Sequence, residues 1–227
     1  VALTVGTLAG TQAHLDAAAV RAVRAVLATG DPGGRFHQVV TRLDDDAAAQ
    51  ADGVAGVLAD VLPADREVWH AVRSFPLRLT GTDARFVLLV DESIADRAVV
   101  VDGDWPTGPG ETALHADAAT ALGVGLGDSL EVAVEDTAVQ LTLVGTWRPT
   151  DHPNWGAEPV AATGNDPLEP DVHGPAVVLS EALAGLDLTP FAQWTISPGP
   201  GITPADLGPW RTGLARLPDA LRDFTHR

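Results

Sequence analysis

The sequence predicts an α+β fold in which two β-α-β units enclose a strand-rich insertion. Two observations favour this class. In the first and last parts of the chain, apolar residues recur at helical spacing next to short runs of strand-like residues. In the middle, the runs are shorter and strand-like, and turn-forming residues separate them. With 227 residues, of which 45% are hydrophobic, the chain can bury a substantial core.

The first part of the chain is predicted to form a helix and then a β-α-β unit over residues 36–73. Three consecutive aspartates at 44–46 suit the start of the unit's helix, because their side chains accept hydrogen bonds from its first N–H groups. Pro63 cannot continue that helix and ends it. In order, the predicted elements are a helix over residues 12–29, a strand over 36–43, the helix after 44–46 and a strand over 67–73.

Residues 75–174 are predicted to form a smaller inserted β-rich subdomain. A brief helix over 115–122 ends at Gly123, because glycine readily adopts the left-handed conformation of a C-cap. Residues 135–138 join the last two strands as a hairpin. The predicted strands of this region are 77–80, 85–90, 98–101, 129–134 and 139–147.

A proline-rich loop is predicted over residues 149–174, where the hydrophobic period disappears. Six of the 17 prolines fall between Pro149 and Pro175, and we expect this loop to cross the surface. A second β-α-β unit and a final helix follow the loop. Their predicted elements are a strand over 176–179, a helix over 180–186, a strand over 191–197, and a helix that starts with Thr203 as N-cap and Pro204 and runs to about residue 223.

The two β-α-β units make one predicted α/β subdomain, residues 1–74 plus 175–227, and the insertion makes the other, residues 75–174. The first subdomain is similar to a split ferredoxin-like sandwich, in which an insertion separates two β-α-β halves. In that arrangement, the helix over 12–29 and the last helix enter and leave on the same side.

Charge and composition exclude several classes of function. The 14 basic residues are all arginine and stand against 31 acidic residues, so the formal net charge is −17. Such a chain repels phosphate backbones, and we expect no nucleic-acid partner. Without lysine there is no P-loop lysine or Schiff base, and without cysteine there is no thiolate ligand or cysteine nucleophile. The absence of methionine and the start at Val1 lead us to expect a longer parent chain.

The densest polar cluster lies in the loop over 149–174. Its carboxylates and imidazoles are ligand types for a divalent cation, but a cluster of this kind is more often a solvated acidic loop. The candidate metal ligands are Asp151, His152, Asp171 and His173. The sequence contains neither a G-x-S-x-G elbow nor an H-E-x-x-H pair, and we predict no catalytic or cofactor-binding residue.

Three tryptophans near predicted turns, Trp105, Trp147 and Trp155, are open to two interpretations. They could line an apolar groove for a lipid or a peptide, since exposed aromatic surface commonly marks a binding site. More often, such tryptophans fill the ends of a small sheet, because large aromatic side chains dominate protein cores.

Residues 101–149 carry a spaced pattern of turn, helix and strand residues. The pattern consists of Gly103, Trp105, Pro106, Gly110, Glu111, Leu122, Gly123, Gly127, Asp128 and Gly145. It resembles the extracytoplasmic core domain of FtsX/MacB-type ABC transporter permeases, in the long actinobacterial form. The resemblance covers about a fifth of the chain, and Asp104 stands where the family commonly has arginine. Each residue of the pattern has a structural role in turns, packing or strand starts, and none is catalytic.

The resemblance implies a non-catalytic domain on the outer face of the cell membrane, between the first and second membrane helices of a permease. It implies a porter-type subdomain into which the β-rich subdomain is inserted. The partners it implies are the chain's own membrane helices, a separate ABC ATPase subunit that carries ATP and Mg²⁺, and an envelope protein or a lipid or peptide cargo. The domain itself would couple movement driven by the ATPase to substrate export, substrate extraction or the regulation of an envelope partner.

Two alternatives remain open at the level of the sequence. One is a freestanding exported protein that binds a lipid or peptide in the tryptophan-lined region. The other is a metal-dependent hydrolase that uses the four candidate ligands of the loop over 149–174.

Overall fold

The structure, a computed structural model, describes residues 17–23, 25, 36–134, 137–184, 186 and 188–225. It confirms the predicted α+β class, since strands and helices both recur along the chain. The described residues divide into two compact units. The first unit takes the described parts of residues 1–37, 44–68 and 196–227, and the second takes 38–43 and 69–195. The second unit is therefore larger than the insertion expected at 75–174.

The elements of the described chain follow the expected order closely. The strands are β1 His37–Arg42, β2 Arg66–Arg73, β3 Leu77–Leu79, β4 Arg85–Val90, β5 Ala98–Gly103, β6 Glu111–His115, β7 Ser129–Val134, β8 Thr137–Pro149, β9 Val172–Val177 and β10 Phe191–Pro198. The helices are α1 Ala47–Val61, α2 Ala116–Leu122, α3 Pro159–Thr163, α4 Ser180–Ala184 and α5 Leu207–Thr225, with 3₁₀ turns at Ile94–Asp96, Pro153–Ala157 and Pro204–Asp206. Residues 17–23 and 25 are also helical, and the rest of the helix predicted over 12–29 lies outside the described residues.

Six strands of the second unit close into a ring. The order is β4-β3-β7-β8-β6-β9, and β9 pairs back to β4 in parallel. β5 lies off this ring and pairs antiparallel with β8. The sheet continues beyond β4 through β2, β10 and β1. Closure leaves the ring strands without a free edge, which satisfies their backbone groups.

One face of the ring strands builds the interior of the ring. Buried apolar residues from all six strands pack in one cluster, joined by residues of α2 and α4. The strand residues of this cluster are Leu77, Leu79, Phe86, Leu88, Leu114, Leu130, Val132, Val134, Leu141, Leu143 and Ala176. The pleat of each strand turns the intervening residues to the other face.

A second apolar cluster lies on the opposite face of three ring strands. Leu89 of β4, Ala113 of β6 and Val177 of β9 pack there together with Trp147 and Trp155. These three strands therefore bury both faces, as strands covered on both sides do.

Three expectations about this unit were wrong. The strand β6 was not predicted, because the sequence was expected to begin a helix directly at residue 115. The strand expected at 176–179 is β9, which begins earlier, at Val172, and pairs with β4 and β6 in the ring rather than beside β10. The loop expected over 149–174 contains α3 and a 3₁₀ turn, and it buries Asn154 and Trp155.

In the first unit, helices α1 and α5 pack closely against each other. A Cβ atom at Gly53 would overlap the ring of Phe224, and one at Gly213 would overlap the carbonyl oxygen of Val61. The predicted caps are confirmed. Asp46 Oδ1 accepts a hydrogen bond of 3.0 Å from the N–H of Ala49, and Thr203 forms a capping box before α5. Among the described residues, no helix combines the length and the apolar character that crossing a membrane requires.

Candidate functional site

A buried ion pair lies in the second unit. Asp91 follows β4 and Arg97 precedes β5, and Arg97 Nη2 donates a hydrogen bond to Asp91 Oδ2. The two side chains are 0% and 2% exposed. The other carboxylate oxygen of Asp91 accepts hydrogen bonds of 2.9 Å and 2.8 Å from the N–H and hydroxyl of Ser93. The turn that follows β4 therefore holds this carboxylate in place.

The segment after β8 closes over Arg97. The indole of Trp155 lies under its guanidinium, with Arg97 Cζ 4.5 Å from the ring centroid. The carbonyl oxygen of Arg97 accepts hydrogen bonds from Trp155 Nε1 at 2.9 Å and from the Thr150 hydroxyl at 2.8 Å. A planar guanidinium suits this position, since it stacks on an aromatic face while donating to a carboxylate.

Aromatic rings continue inward from Trp155. Its ring centroid lies 5.9 Å from that of Trp147, which lies 6.3 Å from Trp105 and 5.1 Å from the edge-on ring of His115. Burial lowers the pKa of His115, so this imidazole is neutral at pH 7. Its Nδ1 accepts a hydrogen bond of 3.2 Å from the N–H of Asp117 and caps α2.

Several buried donors in this region find no acceptor among the described residues. They are Arg97 Nε and Nη1, His115 Nε2, Trp147 Nε1 and Asn154 Nδ2. The carboxyl group of Glu158 lies near Arg97 and Asp91, and burial raises its pKa. The site is therefore richer in donors than in ionised acceptors.

A cavity of about 300 Å³ adjoins the ion pair. Asp91 and the exposed Glu92 lie at its polar side, while Trp105, Pro106 and Ile94 supply apolar walls. Its size is at the lower limit of small-molecule sites. Of the three tryptophans, Trp105 is the one that lines the cavity, and Trp147 and Trp155 are core residues, 0% and 4% exposed.

The four candidate metal ligands do not come together. Asp171 accepts a hydrogen bond of 2.8 Å from Arg85 Nε, and this arginine holds the pKa of the Asp171 carboxyl below its usual value. His152 Nδ1 lies 2.6 Å from Asn154 Oδ1, and Asp151 is exposed. His173 lies in β9, where it pairs with Asn165. In the part of the chain that the structure describes, no three histidine, cysteine or acidic side chains form a metal-sized cluster.

Three glycines of the spaced pattern occupy positions where the backbone leaves no alternative to glycine or favours it. Gly103 has φ 72° and pairs with Gly145 across β5 and β8. A Cβ at Gly145 would overlap the carbonyl oxygen of Asp104. Gly123 caps α2 in the left-handed conformation, as predicted.

Two acidic residues of the pattern hold turns through hydrogen bonds. Glu111 Oε2 accepts from the N–H of Thr107 at 2.7 Å, from its hydroxyl at 3.0 Å and from the N–H of Gly108 at 3.0 Å, which lowers the pKa of Glu111. Asp128 Oδ2 accepts from the N–H of Gly125 at 2.8 Å in the turn before β7. These carboxylates act on the backbone, not on a ligand.

The ion pair of Asp91 and Arg97 was not predicted. Asp91 begins a polar run that reads as a surface turn, and Arg97 stands beside the strand run that starts at Ala98. A lone charge at either place is usually exposed. The burial of Arg97 depends on Trp155, which is distant in sequence.

The chain matches no known protein-family model, and no curated protein matches it.

Proposed function

We propose that this chain is the extracytoplasmic domain of an ABC transporter permease of the FtsX/MacB type. In this role it performs no chemistry. A separate ATPase subunit binds ATP and Mg²⁺, and the domain couples the resulting movement to substrate export or extraction, or to an envelope partner.

One observation carries the proposal. The spaced pattern that resembles these permeases folds as a continuous piece, β5 to β8, and its first and last glycines are register partners. Residues 103 and 145 are distant in sequence, and their contact brings the two ends of the pattern together. Gly145, Glu111 and Asp128 of the pattern make backbone contacts and turns, which agrees with the structural roles that the resemblance implies.

The strand order supports the finer part of the proposal, a porter-type subdomain of the split ferredoxin-like kind. β1 and β2, which α1 connects, lie on either side of β10, and α5 follows β10 in the chain. Insertion of a later strand between the two strands of a β-α-β unit is the arrangement of split β-α-β folds.

The experiment is to recover the full-length gene and to purify its tagged product from detergent-solubilised membranes. We expect hydrophobic spans on both sides of residues 1–227, an ATPase subunit that co-purifies, and ATP hydrolysis that changes when residues 1–227 are replaced by a flexible linker. A full-length chain without membrane spans, or one from which no ATPase subunit co-purifies, would contradict the proposal.

A second candidate is a freestanding exported protein that binds a small ligand. The cavity of about 300 Å³ beside Trp105 favours it. Native mass spectrometry of the protein as secreted is the test. A stoichiometric ligand that is lost in Trp105→Ala, from a gene that encodes no membrane span, would establish this candidate in place of the first.

A further inference from the structure

A larger open cavity lies beside β3, β4 and β7 in the second unit. Its volume is about 790 Å³, and it combines arginines with apolar side chains. The residues that matter here are Arg42, Arg78, Arg85, Phe75, Leu188 and Phe191. Arg78 and Arg85 alternate along β3 and β4 with Leu77 and Phe86 of the ring interior, which places them on the outer face.

Arg78 and Arg85 are direct cross-strand partners. They pair in the antiparallel ladder between β3 and β4. Two like charges directly opposite each other destabilise a sheet. Two of the 14 basic residues of the chain therefore meet at one place in the sheet.

Carboxylates neutralise one of the two arginines. Arg85 Nε donates to Asp171 Oδ2 at 2.8 Å, and Arg85 Nη2 donates to Glu169 Oε2 at 2.7 Å. Among the described residues, the guanidinium of Arg78 has no hydrogen bond and no ion pair. Its other cross-strand neighbour is Ala133 of β7, whose small side chain leaves space beside the guanidinium.

The apolar part of the cavity is exposed as well. Phe75 is 46% exposed, although an aromatic ring of this size is normally buried. Leu188 and Phe191 are partly buried and line the same cavity. A ligand that fills the cavity therefore meets a guanidinium and an apolar surface together.

We propose that this cavity binds a small anionic amphiphile, a molecule with one phosphate or carboxylate head and an apolar tail. Arg78 binds the head through the two parallel N–H groups of its guanidinium, which match the geometry of both anions. Arg42 also lines the cavity. Phe75, Leu188 and Phe191 bind the tail. This inference rests on the cavity alone and stands or falls independently of the proposed function.

Titration calorimetry with octyl phosphate, below its micelle concentration, tests the proposal on the purified chain. The wild type is expected to bind with a 1:1 stoichiometry. Arg78→Ala is expected to weaken binding by tenfold or more. Arg211→Ala removes the same charge at an exposed position of α5 in the other unit, and it is expected to change the affinity less than twofold.

Further titrations distinguish the contribution of the anionic head from that of the apolar tail. Inorganic phosphate, which lacks the tail, is expected to bind at least tenfold more weakly than octyl phosphate, and octyl glucoside, which lacks the charge, is expected not to bind. Phe75→Ala is expected to reduce the affinity for octyl phosphate about tenfold and to leave that for inorganic phosphate unchanged. Octanoate in place of octyl phosphate distinguishes a carboxylate from a phosphate head.

The melting temperature separates a folding defect from a binding defect. Because Asp171 and Glu169 already neutralise Arg85, Arg78→Ala is expected to melt within a few degrees of the wild type while it weakens binding. The proposal is overturned if the wild type gives no heat up to millimolar octyl phosphate, or if Arg78→Ala binds as tightly as the wild type. Equal binding of octyl glucoside would also overturn it.

Discussion

Gly103 of β5 and Gly145 of β8 lie opposite each other, and neither position has room for a side chain. A Cβ at Gly103 would overlap the carbonyl oxygen of Val144, and a Cβ at Gly145 would overlap that of Asp104. The obstacles are backbone atoms, which cannot rotate away as a side chain can. The two strands therefore depend on two glycines for their close approach.

Gly145→Ala is the first prediction. The added methyl group forces β5 away from β8, and we expect the free energy of unfolding to fall by about 3 kcal/mol. Urea unfolding followed by circular dichroism measures the change. Gly110→Ala is the matched control from the same pattern, because nothing lies within 4 Å of a Cβ there. An equal loss in both variants would contradict the steric explanation.

The buried ion pair of Asp91 and Arg97 gives the second prediction. Asp91→Asn leaves the guanidinium of Arg97 buried and uncompensated, and we expect a loss of about 3–5 kcal/mol in urea unfolding. The double variant Asp91→Leu/Arg97→Met removes both charges and is expected to be more stable than Asp91→Asn. Asp219→Asn, in an ion pair whose side chains are 64% and 76% exposed, is the control and should change stability by less than about 1 kcal/mol.

The carboxyl group of Glu158 gives a prediction about pH. Burial raises its pKa in the folded state, although Arg97 lowers it and Asp91 raises it further. The folded chain therefore binds this proton more tightly than the unfolded chain. The stabilising effect is complete below the ordinary value of 4.5 and is lost as the pH rises through the folded-state pKa.

Glu158→Gln removes this titration while keeping the shape of the side chain. We expect the variant to be more stable than the wild type at pH 8, by about 1 kcal/mol, and to show a smaller gain at pH 4.5. Melting temperatures across this pH range measure the difference. Glu67→Gln, at an exposed position of β2, removes the same charge and is the control for the change in net charge. The prediction would be refuted if the stability gained by Glu158→Gln over the wild type were smaller at pH 8 than at pH 4.5.

Two glycines of helix α1 give the fourth prediction. Both lie in the helix interior, where glycine is less favourable than alanine. Nothing lies within 4 Å of a Cβ at Gly56, so Gly56→Ala is expected to raise the free energy of unfolding by about 0.5–1 kcal/mol. A Cβ at Gly53 meets the ring of Phe224 on α5, so Gly53→Ala is expected to stabilise less or to destabilise. Thermal unfolding of the two variants side by side checks the difference, which would vanish if α1 and α5 did not pack as described.

The sequence predicted those elements whose signals are local. Asp46 and Thr203 cap helices, and Gly123 ends one, because each acts on backbone groups within a few residues. The strand β8 was predicted from its alternation of apolar and polar residues, because one side of that strand is polar for most of its length. Leu141 and Leu143 are buried there while Gln140 and Thr142 are exposed.

The strand β6 could not be predicted from alternating polarity. Thr112, Ala113, Leu114 and His115 are all buried, because the ring interior covers one face and the tryptophan cluster covers the other. A strand buried on both sides has no alternating polarity. The position of β9 was missed for the same reason, and the buried site was missed because Trp155 reaches Arg97 only in the folded chain.

Closure of the ring has a consequence for how the protein is made. In the pairing of β4 with β9, Arg85 lies opposite Val172. The strand that closes the ring, β9, is therefore synthesised long after β3 and β4. Until β9 is synthesised, the N–H and C=O groups of β4 and β6 that pair with it are unsatisfied and can bind another extended chain. Contacts so distant in sequence also slow folding. The growing chain is therefore most vulnerable to aggregation while residues 85–171 are complete and β9 is not, and a fragment that stops before residue 172 is a poor choice for expression.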